Sequence, residues 1–327
     1  MKMKGIRIPL YFRVILTVIL FAAQVPAVQS AGFNVTDTTI IADHYFIRYI
    51  ANDSMVANLC VPIIQGKAPC VIFLGGTEGG IPFDKMNEKQ YNQGAGGFEN
   101  HLLKSGIAVL NLAYFKAGNL SQAVREVPLE IIWNALTWLS KQEKIDAAHI
   151  GITGGSKGGE LALLAGAEYA QIKAAVSILG SGVVWQGIST DPYHPVSSWT
   201  KGGIPYPFVK YSYPSGFINN RIAGKAITHE EMFQLFVESM SKNLVPEAII
   251  KVEKIKGPVM LISSEDDNLW PSAALCDIAY ERLKTTNHPY AFQHLKGKGL
   301  QHGISSELWL KAADFLIEAL QPVGKTP

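Results

Sequence analysis

Apolar and polar positions fall into short blocks along the chain, and the period of each block predicts its element. HYFIRYIA (44–51) and MVANLCVP (55–62) are β-type runs separated by the turn formers Asn52, Asp53 and Ser54, which predicts a hairpin at the edge of a sheet. APCVIFLGG follows as an unbroken apolar run ending in glycines, the pattern of a strand buried on both faces. The blocks then alternate. GIAVLNLAYF, HIGITGG and IKAAVSILG read as strands, and VPLEIIWNALTWLSKQ and KGGELALLAGAEYA as helices. The first of these helices has Pro128 in its first turn and Ile132, Ala135, Leu136 and Leu139 on one face. Strand, helix, strand at this spacing predicts an α/β fold: a mostly parallel sheet with helices on both faces.

Regularity breaks between Ser181 and Val252, where HPVSSWTKGGIPYPF and YSYPSG are rich in Pro, Gly and aromatics and precede a helical run, HEEMFQLFVESMSKN. An insertion of this length in an α/β domain is expected to be an active-site lid or binding loop. Alternation resumes with the strand GPVMLISS, a helix from about Pro271, the strand PYAFQHL and a last helix, SELWLKAADFLIEAL, with Leu308, Ala312, Phe315, Leu316 and Leu320 on its apolar face.

The first 30 residues change the picture of the compartment. Lys2, Lys4, Arg7 and Arg13 precede the apolar run VILTVILFAA, and the small residues of AVQSAG follow, the layout of a secretory signal peptide cleaved after Ser30. The expected product, residues 31–327, is a single domain, secreted or periplasmic, with an uncleaved N-terminal anchor as the alternative and no stable membrane span after cleavage. The full chain carries 29 Lys and Arg against 27 Asp and Glu, so removing those four cations leaves a slightly acidic protein with no basic stripe, and nucleic acid is excluded as a partner. At 48% hydrophobic and 17% charged residues the chain is composed like one large globular core. Export permits a bridge between Cys60 and Cys70 across the turn PIIQGKAP, with buried free thiols as the alternative for these and for Cys276.

The candidate chemistry centres on GGSKG (154–158), which fits G-x-S-x-G between the strand HIGIT and the helix ELALLAGA. Glycines two residues either side of Ser156 suit a strand-to-helix turn too tight for a β-carbon, and the turn lifts the hydroxyl out of the sheet. It also leaves the Lys157 N–H at a helix N-terminus, as an oxyanion donor. A serine needs a base and an orienting acid, here in the order Ser, Asp, His. SSEDDNLWPS places Asp266 and Asp267 after a buried strand; the run from Ser264 to Pro271 favours Asp267, and either acid can also cap the helix that follows. His302, after the glycine-rich loop KGKGLQHG, is the expected base, with His294 in the strand AFQHL as the competitor. LGGTEGG (74–80) supplies a second oxyanion donor, Thr77 first, with Gly76 or Glu78 as alternatives. No metal and no cofactor are called for. The density of aromatics in the insertion predicts that Trp199 and Tyr206 contribute to the apolar wall of an acyl pocket above Ser156; the alternative is a satellite core that seals the sheet edge.

FLGGTEGG, GITGGSKGGELALL, SSWTKGGIPYPF, VEKIKGPVMLISSEDDNLWPS and the loop ending GLQHGI together resemble the catalytic, C-terminal part of the bile-acid-CoA:amino-acid N-acyltransferase and acyl-CoA thioester hydrolase family, in the dienelactone-hydrolase-like branch of the α/β hydrolases. The resemblance covers roughly 55–320 and implies Ser156, Asp267 and His302 as nucleophile, acid and base. A serine stands where the amino-acid-conjugating members use cysteine, which favours water as acyl acceptor. The expected function is therefore an exported serine hydrolase cleaving a small-molecule carboxylic ester or acyl thioester. The alternatives are a hydrolase-fold protein that binds an acyl ligand without turnover, and an acyltransferase to an amine.

Overall fold

The computed structural model describes residues 40–42, 44–52, 54–82, 95–188 and 193–321. The expected signal peptide lies outside them. β1 (Ile40–Ala42), β2 (Tyr45–Asn52) and β3 (Met55–Pro62) form an antiparallel edge, with the Asn52 side chain accepting from the Ser54 and Met55 N–H groups to close the turn between β2 and β3. β4 (Ala68–Leu74) is buried at all seven positions, as its unbroken apolar run requires. Next come α1 (Ala95–Lys104), a helix the hydrophobic pattern did not signal because its core consists of three residues, Phe98, Leu102 and Leu103, and then β5 (Ala108–Ala113).

β6 (Val127–Pro128) and α2 (Glu130–Leu139) follow; Pro128, expected in the first helical turn, instead ends a two-residue strand. β7 (Ile145–Gly155), α3 (Lys157–Glu168) and β8 (Ile172–Ile178) complete the first run of alternation. The insertion contributes β9 (Trp199–Lys201), β10 (Ile204–Pro205), α4 (Phe217–Ile222) and α5 (His229–Asn243), the last opened by a capping box between Thr228 and Glu231. β11 (Val259–Ser264), α6 (Ser272–Thr285), β12 (Phe292–Gly297) and α7 (Ser306–Leu320) close the fold.

The nine strands of the main sheet run in the order β1-β2-β3-β5-β4-β7-β8-β11-β12, parallel from β5 onward. One face packs on α2, α3 and α6 through residues such as Leu136, Leu163 and Ala279; the other packs on α1 and α7 through Phe98, Leu102, Ala313 and Leu316. This is the α/β-hydrolase arrangement expected from the alternating blocks. Its parallel half matters most for the site, because β4, β7, β11 and β12 all end at one edge of the sheet, where loops are free to carry chemistry. The insertion is tied back to the body by a second small sheet: Val127 and Pro128 of β6 pair in parallel with Trp199 and Thr200 of β9.

Cys60, Cys70 and Cys276 are all buried, and none of them is in a disulfide. Cys60 pairs in register with Val109 and Cys70 with Ala108, so β5 lies between the two strands and no bridge forms across the turn. Among the described residues no helix is long and apolar enough to cross a membrane.

Candidate active site

Ser156 stands between the end of β7 and the start of α3 with φ 51° and ψ −117°, a strained conformation for a residue with a side chain. The flanking glycines explain how the turn is possible. A β-carbon on Gly154 would strike the Gly158 carbonyl, and one on Gly158 would strike the carbonyls of Gly75 and Leu74, whereas Gly155 faces open space. The first and last glycines of the motif are thus steric requirements and the inner one is free to vary.

The turn aims the hydroxyl at His302, whose Nε2 lies 3.1 Å from Ser156 Oγ. The His302 Nδ1 lies 2.8 Å from Asp267 Oδ2. Asp267 is buried, and its other oxygen accepts the N–H groups of Leu269 and Trp270 at 3.0 and 3.2 Å, which fixes the carboxylate against the start of α6. With Oδ2 acting only as an acceptor, the Nδ1 carries the proton and Nε2 is left to receive the serine proton. The structure therefore joins Ser156, His302 and Asp267, residues drawn from three separate loops, into one hydrogen-bonded line.

The neighbouring acid has a different task. Asp266 accepts the Ser264 hydroxyl at 2.9 Å and the N–H of Gly299 at 2.9 Å, with the Gln301 N–H at 3.4 Å, and so ties the loop that carries His302 to the end of β11. The Ser264 hydrogen bond, reinforced by these backbone donors, holds its carboxyl below the usual aspartate range.

His294 takes no part in this line. It belongs to a second Ser, His, Asp string, with Ser263 Oγ 2.7 Å from its Nε2 and Asp277 Oδ1 3.0 Å from its Nδ1. Ser263 is fully buried within β11, between β8 and β12, so no substrate carbonyl can reach it. Burial pushes the His294 pKa down, against the pull of Asp277, as suits a neutral ring locking a strand to α6.

The loop after β4 faces Ser156 from the other side. The Gly76 N–H donates to Glu78 Oε1 at 2.7 Å and is thereby engaged, while the Tyr114 hydroxyl donates to the carbonyls of Gly75 and Gly76. Thr77 and Lys157 line the same cavity as Ser156. The N–H of Lys157 is in the first turn of α3, where no intrahelical acceptor exists. Thr77 and Lys157 thus border Ser156 from two elements, the loop after β4 and the start of α3.

Lys157 stands out in the sequence only for its N–H, and its side chain carries a second feature. Lys157 Nζ lies 2.7 Å from Glu160 Oε2, both buried, and 5.4 Å from the centre of the Trp199 ring. Glu160 Oε1 accepts the Trp185 N–H at 3.1 Å and Trp199 Nε1–H at 2.7 Å. Burial pushes Lys157 down and Glu160 up, and their pairing opposes both shifts, with the Trp199 and Trp185 donors adding to it at Glu160. The signal was present in KGGELALLAGA: two opposite charges three residues apart on a helix that is otherwise apolar all round.

This pair corrects the expected substrate contacts. Trp199 is fully buried, tethering the insertion to α3, and Tyr206 lines a separate cavity with Leu164, Pro207 and Glu247. Neither reaches Ser156. The cavity above Ser156, about 260 Å³, is walled instead by Tyr211, Tyr213, Phe217, Met232, Leu235 and Phe236 of the insertion, with Leu269 and Trp270. The insertion also makes its own cluster around Trp185, Val209, Phe236 and Trp270, so one segment both packs and covers.

Residues 127–305 match the family described as BAAT / acyl-CoA thioester hydrolase C terminal, more than half of the chain. The chain belongs to this family. As a member it is 27% identical over 237 residues to acyl-coenzyme A amino acid N-acyltransferase 2 of Mus musculus, covering 69% of this chain and 47% of that protein. It is 27% identical over 229 residues to the mitochondrial acyl-coenzyme A thioesterase 2 of the same organism, covering 68% and 45%. The chain spans about half the length of these curated relatives. Among solved structures, acetyl xylan esterase 1 from Thermoanaerobacterium sp. JW/SL YS485 superposes with a TM-score of 0.55 at 12% identity over 88% of this chain and 87% of that one. The acylaminoacyl peptidase of Pyrococcus horikoshii gives 0.53 at 16% identity over 88% and 44%. At these identities the structural likeness speaks to the fold.

Proposed function

We propose that this family member is a serine hydrolase that cleaves a carboxylic ester or acyl thioester through an acyl-enzyme. The observation that carries the reading is the continuous line from Ser156 Oγ to His302 Nε2 and from His302 Nδ1 to Asp267 Oδ2, at 3.1 and 2.8 Å. In the first step His302 takes the Ser156 proton as Oγ bonds to the acyl carbon, and Asp267 steadies the imidazolium. The N–H groups of Lys157 and Thr77 hold the negative oxygen of the tetrahedral intermediate. His302 then gives its proton to the departing alcohol or thiol. In the second step water, deprotonated by the same imidazole, adds to the acyl carbon, and Ser156 recovers its proton as the carboxylic acid leaves.

The apolar wall of the Ser156 cavity suits the acyl part of such a substrate. Family membership adds acyl-CoA thioesters to the substrates to be tried. Export is part of the same proposal and rests on the pattern of the first 30 residues. A panel of p-nitrophenyl esters assayed beside acyl-CoA thioesters tests the reading. Turnover of one class, abolished in Ser156→Ala and independent of added amino acid, is the expected result. Product formed only when an amine is supplied would replace hydrolysis by acyl transfer.

A further inference from the structure

The cavity that holds Ser156 shares Thr77, Ile188 and Arg221 with a second cavity of about 250 Å³, which is also lined by Phe115, Lys116 and Arg125. Three cations therefore converge on one recess, and among the described residues no carboxylate side chain lines it. A lone surface arginine is ordinary; three cations around a space continuous with a nucleophile are not.

Each of the three keeps capacity for an anion. Among the described residues the Arg221 side chain has no hydrogen-bond or ion-pair partner. Arg125 Nε stands 4.0 Å from Glu126, and Lys116 Nζ makes long contacts, 3.4 and 3.5 Å, to the carbonyls of Thr77 and Glu78 and lies 5.2 Å from the centre of the Phe115 ring. The Arg221 charge is felt at the aromatic wall. Burial raises the hydroxyl pKa of both Tyr211 and Tyr213, and Arg221 works against that rise in each.

The base fixes which part of a substrate enters this side. His302 must protonate the leaving group, and His302 lines the opposite cavity, with Gly76 and the Glu78 carboxylate, and not the aromatic one. The leaving group thus departs toward His302 and Glu78, and the acyl part lies along Tyr211, Phe217 and Met232 toward Arg221. We propose that the natural acyl group carries a carboxylate at its far end, seated among Arg221, Arg125 and Lys116. This deepens the acyl-enzyme reading and rests on it for the direction of the acyl chain.

The test compares the p-nitrophenyl monoester of octanedioic acid with its methyl ester, which lacks the charge. In the wild-type protein at low salt the free acid should have a kcat/KM about tenfold higher, the size of one good charge-assisted contact, and the ratio should shrink as salt is added. Arg221→Ala should bring the ratio close to one by lowering kcat/KM for the acid more than for the neutral ester, and Arg125→Ala and Lys116→Ala should each lower the ratio in part. Calorimetric binding of 7-carboxyheptanamide against octanamide gives the same comparison without turnover. A neutral ester cleaved as well as the acid, or an Arg221→Ala variant that slows both esters equally, overturns the proposal. If neither ester is cleaved the acyl-enzyme reading fails, and the two amides still decide the cationic recess: equal binding overturns it.

Discussion

Two adjacent aspartates divide one job. Asp267 touches His302, and Asp266 holds the loop that carries it. Asp267→Asn should cost about 10³–10⁴ in kcat, because an amide in that place favours the wrong imidazole tautomer. Asp266→Ala should cost about tenfold, through a loop that no longer fixes the ring. Steady-state kinetics on both variants checks the ranking. The depressed pKa of Asp266 also gives a pH dependence with a definite sign. Its folded value lies below the unfolded value of about 3.9, so its restraint on the loop is complete above that pH and is lost as pH falls through the lower folded value. Acid should then loosen the 297–302 loop, read by amide exchange in wild type but already present at neutral pH in Asp266→Ala. The second Ser, His, Asp string, at Ser263, His294 and Asp277, shows why residue types and distances do not suffice: its serine is buried in mid-strand, whereas Ser156 is raised on a turn with φ 51°.

At the scale of elements, α3, which follows Ser156, and the insertion are joined through one buried carboxyl group. Glu160 receives Lys157 from its own helix and Trp185 and Trp199 from the insertion. Glu160→Gln leaves the Lys157 ammonium without a counter-charge and should cost about 3–5 kcal/mol of stability; Trp199→Ala, which opens a cavity, should cost a similar amount. Thermal or denaturant unfolding measures both. The pocket wall should respond differently. Met232→Ala or Tyr213→Ala should raise KM for octanoyl esters more than for acetyl esters with little change in melting temperature; an unchanged chain-length profile would place the acyl group elsewhere. The strands and main helices were legible because their periodicity is unbroken, as at β4 and α7. The insertion was not: its aromatics alternate between packing and cavity without a period, so Trp199 could not be told from Tyr213 by position in the chain. The loop after β4 was legible as a glycine-rich turn beside Ser156, but not that its Gly76 N–H is taken by the Glu78 side chain folding back.

For the molecule as a whole, the parallel half of the sheet explains why distant residues meet: Ser156, Asp267 and His302 follow β7, β11 and β12, which end at the same edge, and Thr77 follows β4. That convergence was readable from the order of motifs, because Thr77, Ser156 and Asp267 each sit within three residues of the end of a buried strand and His302 sits in the loop after the half-exposed edge strand β12. The insertion then roofs the edge and divides the space beside Ser156 into an aromatic side and a side lined by His302 and Glu78. Labelling with a fluorophosphonate followed by intact mass decides whether Ser156 is a nucleophile activated by His302. One adduct per chain, located on Ser156, absent in Ser156→Ala and formed far more slowly in His302→Ala, is expected. No adduct on the folded wild-type protein, or one that persists in Ser156→Ala, would contradict it.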